Sequence, residues 1–230
     1  MSVTRTEPKP DRRTAILDAA EEQFSKHGFD GVTLRAIAKH AGVDLALPNY
    51  YFGPKRALFD AVFLRRAEIL NSARLAQLDK CLEENEGKPT VEAIIQAFLR
   101  PLLTGEHVTD DGWKHYYALV AYVNNSPEWG GRLMTQFFDP MIQRFMSALR
   151  LAMPEVEDRD LYWAYHCLSG ALTLTLAQTG RLDHLSSGLC QSSDLEDAYT
   201  HMVKFTTAGF ESFRRAAARK KKGRSPKGPS

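Results

Sequence analysis

Residues 32–55 read VTLRAIAKHAGVDLALPNYYFGPK. Thr33 suits the N-cap of a short helix, with Val32 and Ile37 at the two positions of a hydrophobic staple. That helix has room for only about two turns before Ala41-Gly42, where glycine supplies a tight turn. A second helix is expected from near Asp44 to near Phe52, and Gly53-Pro54 opens a third, since proline suits the first helical position. Upstream, residues 12–27 place Ile16, Ala20 and Phe24 at intervals of four with Leu17 beside them, the apolar stripe of a supporting helix. Gly28 stops it, and Phe29 closes back over it as the apolar residue after a left-handed cap.

A supporting helix followed by two short helices joined through Ala-Gly-Val describes a helix-turn-helix unit. In such a unit the second short helix enters the major groove and the first crosses the phosphate backbone. Ala38 is small enough for the helices to approach closely. From Val43 to Pro54 the sole charged residue is Asp44. Uncharged side chains there can meet thymine methyls and sugar edges, while tyrosine hydroxyls and a lysine ammonium can meet phosphates.

The rest of the composition bounds the alternatives. A chain of 230 residues can hold one small and one medium domain, or a single bundle. Its start lacks the apolar segment of a secretory signal and no run of about 18 apolar residues occurs, so no membrane association and a cytoplasmic location are expected. Cys81, Cys167 and Cys190 are widely spaced with no CxxC pair, which points to reduced thiols in a core and to neither a disulfide framework nor a metal site. No cofactor is implied. Net charge is only +2, but after Glu211 there are eight Lys or Arg and no acid. This end, from residue 219, reads as a disordered basic tail, and residues 1–11 as a flexible arm.

Helices are expected nearly throughout, giving an all-α fold: a DNA-binding unit over 12–53 and a helical bundle over 54–218, with 54–82 as the linking helix. ENEGKP is the clearest break after it. Further helices are predicted at about 89–104, 112–125, 129–153, 158–180 and 193–218. Pro101 and Pro140 fall inside two of them and should bend or end each one. Leu133, Phe137, Met141, Phe145 and Leu149 keep an interval of four, the mark of a core stripe. A bundle rich in aromatics and methionine can also enclose an apolar ligand cavity, for which Tyr117, Asn124, Met141, Phe145, Trp163 and His166 are the candidate lining. SGALTLTLAQTG, residues 169–180, carries small and β-branched residues where a charged solvent face is expected, so a second chain should cover it.

Residues 12–66 resemble the DNA-binding domain of the TetR family of bacterial transcriptional regulators, through the TLRAIAKHAGV block and the aromatic-aromatic-Phe-x-x-Lys ending at Lys55. The resemblance implies a homeodomain-like three-helix unit and a C-terminal ligand-binding and dimerisation domain. Thr33 and Arg35 should touch phosphate or a groove edge. Leu45, Ala46, Leu47 and Asn49 should face or lie near bases. Tyr50, Tyr51 and Lys55 should clamp the backbone, although core packing is an equal alternative for Tyr50; Phe52 belongs to the core. Lys55 sits in a first helical turn, where the macrodipole disfavours a cation, so a phosphate partner would explain it. Pro48 departs from the family pattern, and its cost depends on whether the helix begins at Asp44 or later. Asn49 stands where an aromatic residue is common, and its amide suits adenine.

The resemblance further implies a homodimer built on the last two helices, a palindromic operator in double-stranded DNA, and release by a small apolar effector. Similarity of the block from Phe137 to Leu172 to fatty-acid-responsive members implies a fatty acid or acyl thioester. Two rivals stand beside this. One is a DNA-binding adaptor controlled by a protein partner. The other is a helical-bundle enzyme, disfavoured because no Glu-x-x-His pair occurs, His166 and Cys167 would point to different helix faces, and Asp183-His184 lacks a nucleophile partner.

Overall fold

The computed structural model describes residues 11–105, 111–126 and 130–223. Among these residues there are ten α-helices and no strand. They are α1 Arg12–His27, α2 Leu34–His40, α3 Leu47–Phe52, α4 Lys55–Glu84, α5 Val91–Leu103, α6 Asp111–Asn124, α7 Thr135–Ala152, α8 Asp158–Leu176, α9 Arg181–Leu185 and α10 Leu195–Gly223. A π-helical turn, Gly130–Met134, runs directly into α7.

The expected stripe of α1 is buried: Ile16, Leu17, Ala20 and Phe24 face inward. Gly28 ends the helix at φ 66 and ψ −179, a region beyond the left-handed helical well and open essentially to glycine alone. Phe29 folds back as expected, its ring 6.1 Å from Phe24 and 5.3 Å from Phe59 of α4. Thr33 caps α2 by accepting from the Ala36 N–H at 3.1 Å, and both staple residues, Val32 and Ile37, are buried.

α4 is shared by both halves of the molecule. Its first part packs on α1 through Phe59, and further along Phe63 meets Tyr116 of α6 and Phe138 of α7. One continuous core therefore runs from Ile16 to Phe210. Pro54 precedes α4 as its N-cap rather than serving as its first residue.

α5 starts where Thr90 caps it, accepting from the Ala93 N–H at 3.1 Å, and ends two residues after Pro101. Pro140 sits well inside α7, where it removes a donor and crowds the carbonyl four residues before it. The π-helical turn lies just upstream, so the ladder is irregular over this whole stretch. The stripe Leu133, Met141, Phe145 and Leu149 is buried, with Phe137 half-buried. α8 stops at Leu176, short of 180, and α9 was not expected.

Two further expectations need correction. Of the three cysteines Cys81 alone is buried; Cys167 is exposed and Cys190 half-exposed. α10 continues to Gly223, past the expected boundary at 218. The rest of the tail and residues 1–10 lie outside the described residues.

Candidate functional site

The second short helix begins later than its sequence implied. Asp44 Oδ1 accepts from the Ala46 N–H at 2.9 Å, and the Asp44 carbonyl accepts from Leu47 N–H at 3.1 Å, closing a turn before α3. Pro48 is then the second helical residue, where an N–H has no intrahelical acceptor, so its lack of one costs nothing. Its ring is buried beneath the helix. Gly42, at φ +65, makes the bend between α2 and α3, and Ala38 is buried at their crossing.

This geometry divides the expected DNA contacts. Thr33, Arg35, Leu45, Ala46, Asn49, Tyr50 and Tyr51 are exposed along α2, the turn and α3. Tyr50 is 78% exposed, which removes the core alternative for it, and stands edge-on to Tyr51 at 5.3 Å. Leu47 instead packs half-buried against the core, so it supports α3 from below. Phe52 is half-buried, with the Arg13 guanidinium 5.0 Å from its ring centroid.

Lys55 does not stand free as a phosphate clamp. Its ammonium donates to the carbonyls of Phe29 and Val32, each at 2.9 Å, and lies 4.1 Å from the Phe29 ring centroid. Those partners offset the unfavourable first-turn placement of a cation, the feature that had pointed to phosphate. Exposed cations do occur on the same surface: Arg35 and Lys39 lie one turn apart on α2. His40 Nε2 lies 2.8 Å from Glu22 Oε2, whose other oxygen accepts from Lys26 at 2.5 Å.

Behind the unit, Glu21 of α1 is 1% exposed and meets two arginines of α4. Arg65 Nη2 reaches Oε2 at 2.5 Å, and Arg66 Nε lies 2.8 Å from Oε1. Arg66 also lies 4.8 Å from the Trp113 ring centroid on α6. The helix-turn-helix unit is thereby bonded to the bundle through α4.

Inside the bundle, a cavity of about 50 Å³ lies between α4, α5, α6, α7 and α8. Of the six candidate lining residues, Tyr117 and Asn124 border it. Tyr117 donates to the Leu102 carbonyl at 3.0 Å and Asn124 to Thr173 Oγ1 at 2.8 Å. Met141 and Phe145 are buried but do not border it; the Phe145 ring lies tilted against Phe98, with centroids 4.1 Å apart. Trp163 and His166 were misplaced: both lie on the outer face of α8, Trp163 56% exposed. The periodicity that marks a helix does not say which of its faces turns inward.

After Asp160, α8 carries no Asp, Glu, Lys or Arg. Trp163, Gly170 and Leu174 of α8 are exposed at helical spacing, and on α10 Phe205 is 76% exposed with Ala208 and Gly209 beside it. Both helices thus carry large and small uncharged residues on the side away from the core. Elsewhere Asp183 ties a loop together. Its carboxylate accepts from the Ser192 N–H at 3.0 Å, and bonding to Ser192 holds it below the usual carboxylate range. Among the described residues no group of three or more His, Cys, Asp or Glu could hold a metal, and no helix is long and apolar enough to cross a membrane.

Comparison with known proteins agrees with this architecture at both ends. Residues 16–62 match the family described as bacterial regulatory proteins, tetR family, and residues 96–209 match the tetracyclin repressor-like C-terminal domain. The chain belongs to the TetR family. Among curated TetR-type relatives it is 35% identical over 127 residues to the HTH-type transcriptional regulatory protein RaaS of Mycobacterium tuberculosis, covering 55% of this chain and 50% of RaaS. It is 46% identical over 50 residues to the HTH-type transcriptional regulator BetI of Agrobacterium fabrum, covering 22% of this chain and 24% of BetI. The chain thus spans half or less of the curated relatives it matches. A tetR family transcription regulator from Shewanella sp. PV-4 superposes with a TM-score of 0.62 at 17% identity, covering 87% of this chain and 96% of that one. A TetR-like regulator from Rhodococcus sp. RHA1 does so with 0.59 at 20% identity, covering 88% and 99%. At such identities the superpositions establish the fold.

Two features of this TetR-family chain escaped the sequence. The Glu21 ion cluster gives no local signal, because its partners are more than forty residues away. Arg74, which borders the cavity, did leave one: it interrupts the buried stripe Phe63, Ala67, Leu70, Leu78 of α4, where a charge is out of place.

Proposed function

We propose that the protein is a homodimeric transcriptional repressor that binds a palindromic operator in double-stranded DNA in the cytoplasm and is released by a small apolar effector. The observation that carries this is the set of uncharged contact residues, Leu45, Ala46, Asn49 and Tyr50, exposed together on a helix-turn-helix held rigidly from behind. Arg35 and Lys39 beside them supply attraction to phosphate. The exposed apolar faces of α8 and α10 are what a second copy would bury as a four-helix interface. Two-fold symmetry then places two α3 helices in successive major grooves, about 34 Å apart on one side of the duplex.

The effector, of the fatty acid or acyl thioester class that the sequence resemblance implies, would enter the bundle at the cavity beside α4. Because α4 carries both the cavity and the base of the helix-turn-helix, its displacement changes the spacing of the two α3 helices. A coupling of about 1–3 kcal/mol is enough to release the operator.

Selection of random duplex DNA with the purified protein tests the reading, with sedimentation run on the same sample. An enriched inverted repeat bound by two copies is the expected result. Enrichment of no sequence, or a protein that stays monomeric on DNA, overturns it.

A further inference from the structure

We propose that Arg74 anchors an anionic head group, so that the effector is an amphipathic carboxylate, a free acid with a hydrocarbon body. This rests on the bundle being the effector domain of the proposed regulator.

Arg74 sits among the buried apolar residues of α4 and is 3% exposed. It makes no ion pair and no hydrogen bond among the described residues, and its Nε is sealed from solvent without a partner. Its guanidinium lies over the Phe98 ring, 3.8 Å from the centroid. Burial lowers its pKa to about 10, which still leaves it charged at neutral pH. Tyr116, Tyr117 and Tyr165 surround it, but burial pushes all three phenols up, so none supplies a negative charge. A buried cation with no counter-charge is among the costliest groups a core can hold, and a ring face offsets only part of that cost. Arg74 borders the cavity, which is where a counter-charge can enter.

The chemistry of that counter-charge follows from the site. One cation is neutralised by one negative charge, which favours a carboxylate over a phosphate dianion. A carboxylate is planar and accepts two parallel hydrogen bonds from the guanidinium fork. About 50 Å³ admits such a head and little else. Most of the other walls, including Leu70, Phe138, Ile142 and Leu172, are apolar and suit a hydrocarbon body, while Asn124, Ser169 and Thr173 add polar edges. That body needs the walls to part, and Met134 and Phe138 lie on the stretch whose helical ladder is made irregular by the π-helical turn and Pro140. An acyl thioester has no free carboxylate, so the site separates the two effector classes left open by the sequence.

The test is calorimetric titration of the full-length protein with octanoate and dodecanoate against octanol and dodecanol. The expected result is that each acid binds at least about tenfold more tightly than the alcohol of equal length. Arg74→Met levels the two, and Arg74→Lys keeps part of the preference. Acid carrying a ¹³C-carboxyl should titrate at least about one pH unit lower when bound to wild-type protein than when free. Should Arg74→Met fail to fold, the wild-type preference, the carboxyl titration and Arg74→Lys still decide. Equal affinity for acid and alcohol, a preference that survives Arg74→Met, or no binding of either acid overturns the assignment. Operator selection on wild-type protein without ligand is read separately. Protein that selects an inverted repeat but ignores the acid loses this assignment alone; protein that prefers the acid but selects no DNA loses the regulator reading alone.

Discussion

Lys55 Nζ donates to the Phe29 carbonyl at 2.9 Å while lying 4.1 Å from the centroid of the same residue's ring. A second bond to the Val32 carbonyl ties the first turn of α4 to the loop between α1 and α2. Further along the same helix, Arg74 borders the bundle cavity. The nineteen-residue separation corresponds to about 28 Å of helix rise. α4 is thus one continuous helix, bonded to the helix-turn-helix at its first turn and lining the cavity at Leu70 and Arg74.

Replacing Lys55 with Met should therefore lower stability. Two hydrogen bonds from a charged donor and a ring contact are lost, so about 1–3 kcal/mol is expected in urea unfolding. The dependence of DNA affinity on salt should keep its slope. A slope reduced by about one would return Lys55 to the phosphate-contacting set.

Glu21 and Asp18 both pair with Arg65, but in different surroundings. Asp18 is exposed, and Asp18→Ala should cost under about 1 kcal/mol. Glu21 is buried and its loss strands Arg66 as well, so Glu21→Ala should cost about 3 kcal/mol or more. Equal losses in denaturant melts would mean that burial of the carboxylate is not what matters here.

On the DNA face, Arg35 and Asn49 should fail in different ways. Arg35→Ala is expected to weaken binding to all sequences alike and reduce the salt slope by about one. Asn49→Ala should cost about 1–3 kcal/mol at one base pair and relax the preference there. Binding across a set of single-base operator variants separates the two patterns.

Glu22 supplies a pH dependence of known sign. Hydrogen bonds from Lys26, then from His40, push its carboxyl down to about 2 from an ordinary 4.5. The folded state holds the ionised form more strongly than the unfolded state, so this contribution is complete above the ordinary value and fades as pH falls toward the shifted one. Glu22→Gln should be less stable than wild type at about pH 6, with the gap closing as pH approaches about 2. The group is close to solvent, so the gap should be small and shrink with added salt. A gap that widens in acid would contradict the assignment.

Phe205→Glu places a charge on the exposed face of α10. If a second copy covers that face, the variant should sediment as a monomer and lose affinity for an inverted-repeat operator while its single-copy melting stays near that of wild type. A variant that remains dimeric would move the interface elsewhere.

Local order was legible in the residues themselves. The stripe of α1, the Thr33 cap with its Val32–Ile37 staple, and the bend at Gly42 all follow from side-chain spacing and backbone sterics within a few residues, and each appears where those forces place it. The tertiary structure decided what depends on distant partners: that Lys55 spends its charge on the Phe29 and Val32 carbonyls, that Trp163 and His166 turn outward, and that Arg74 is buried without a counter-ion. A helical period fixes which residues share a face, but what that face meets is set by the packing of helices far apart in the chain.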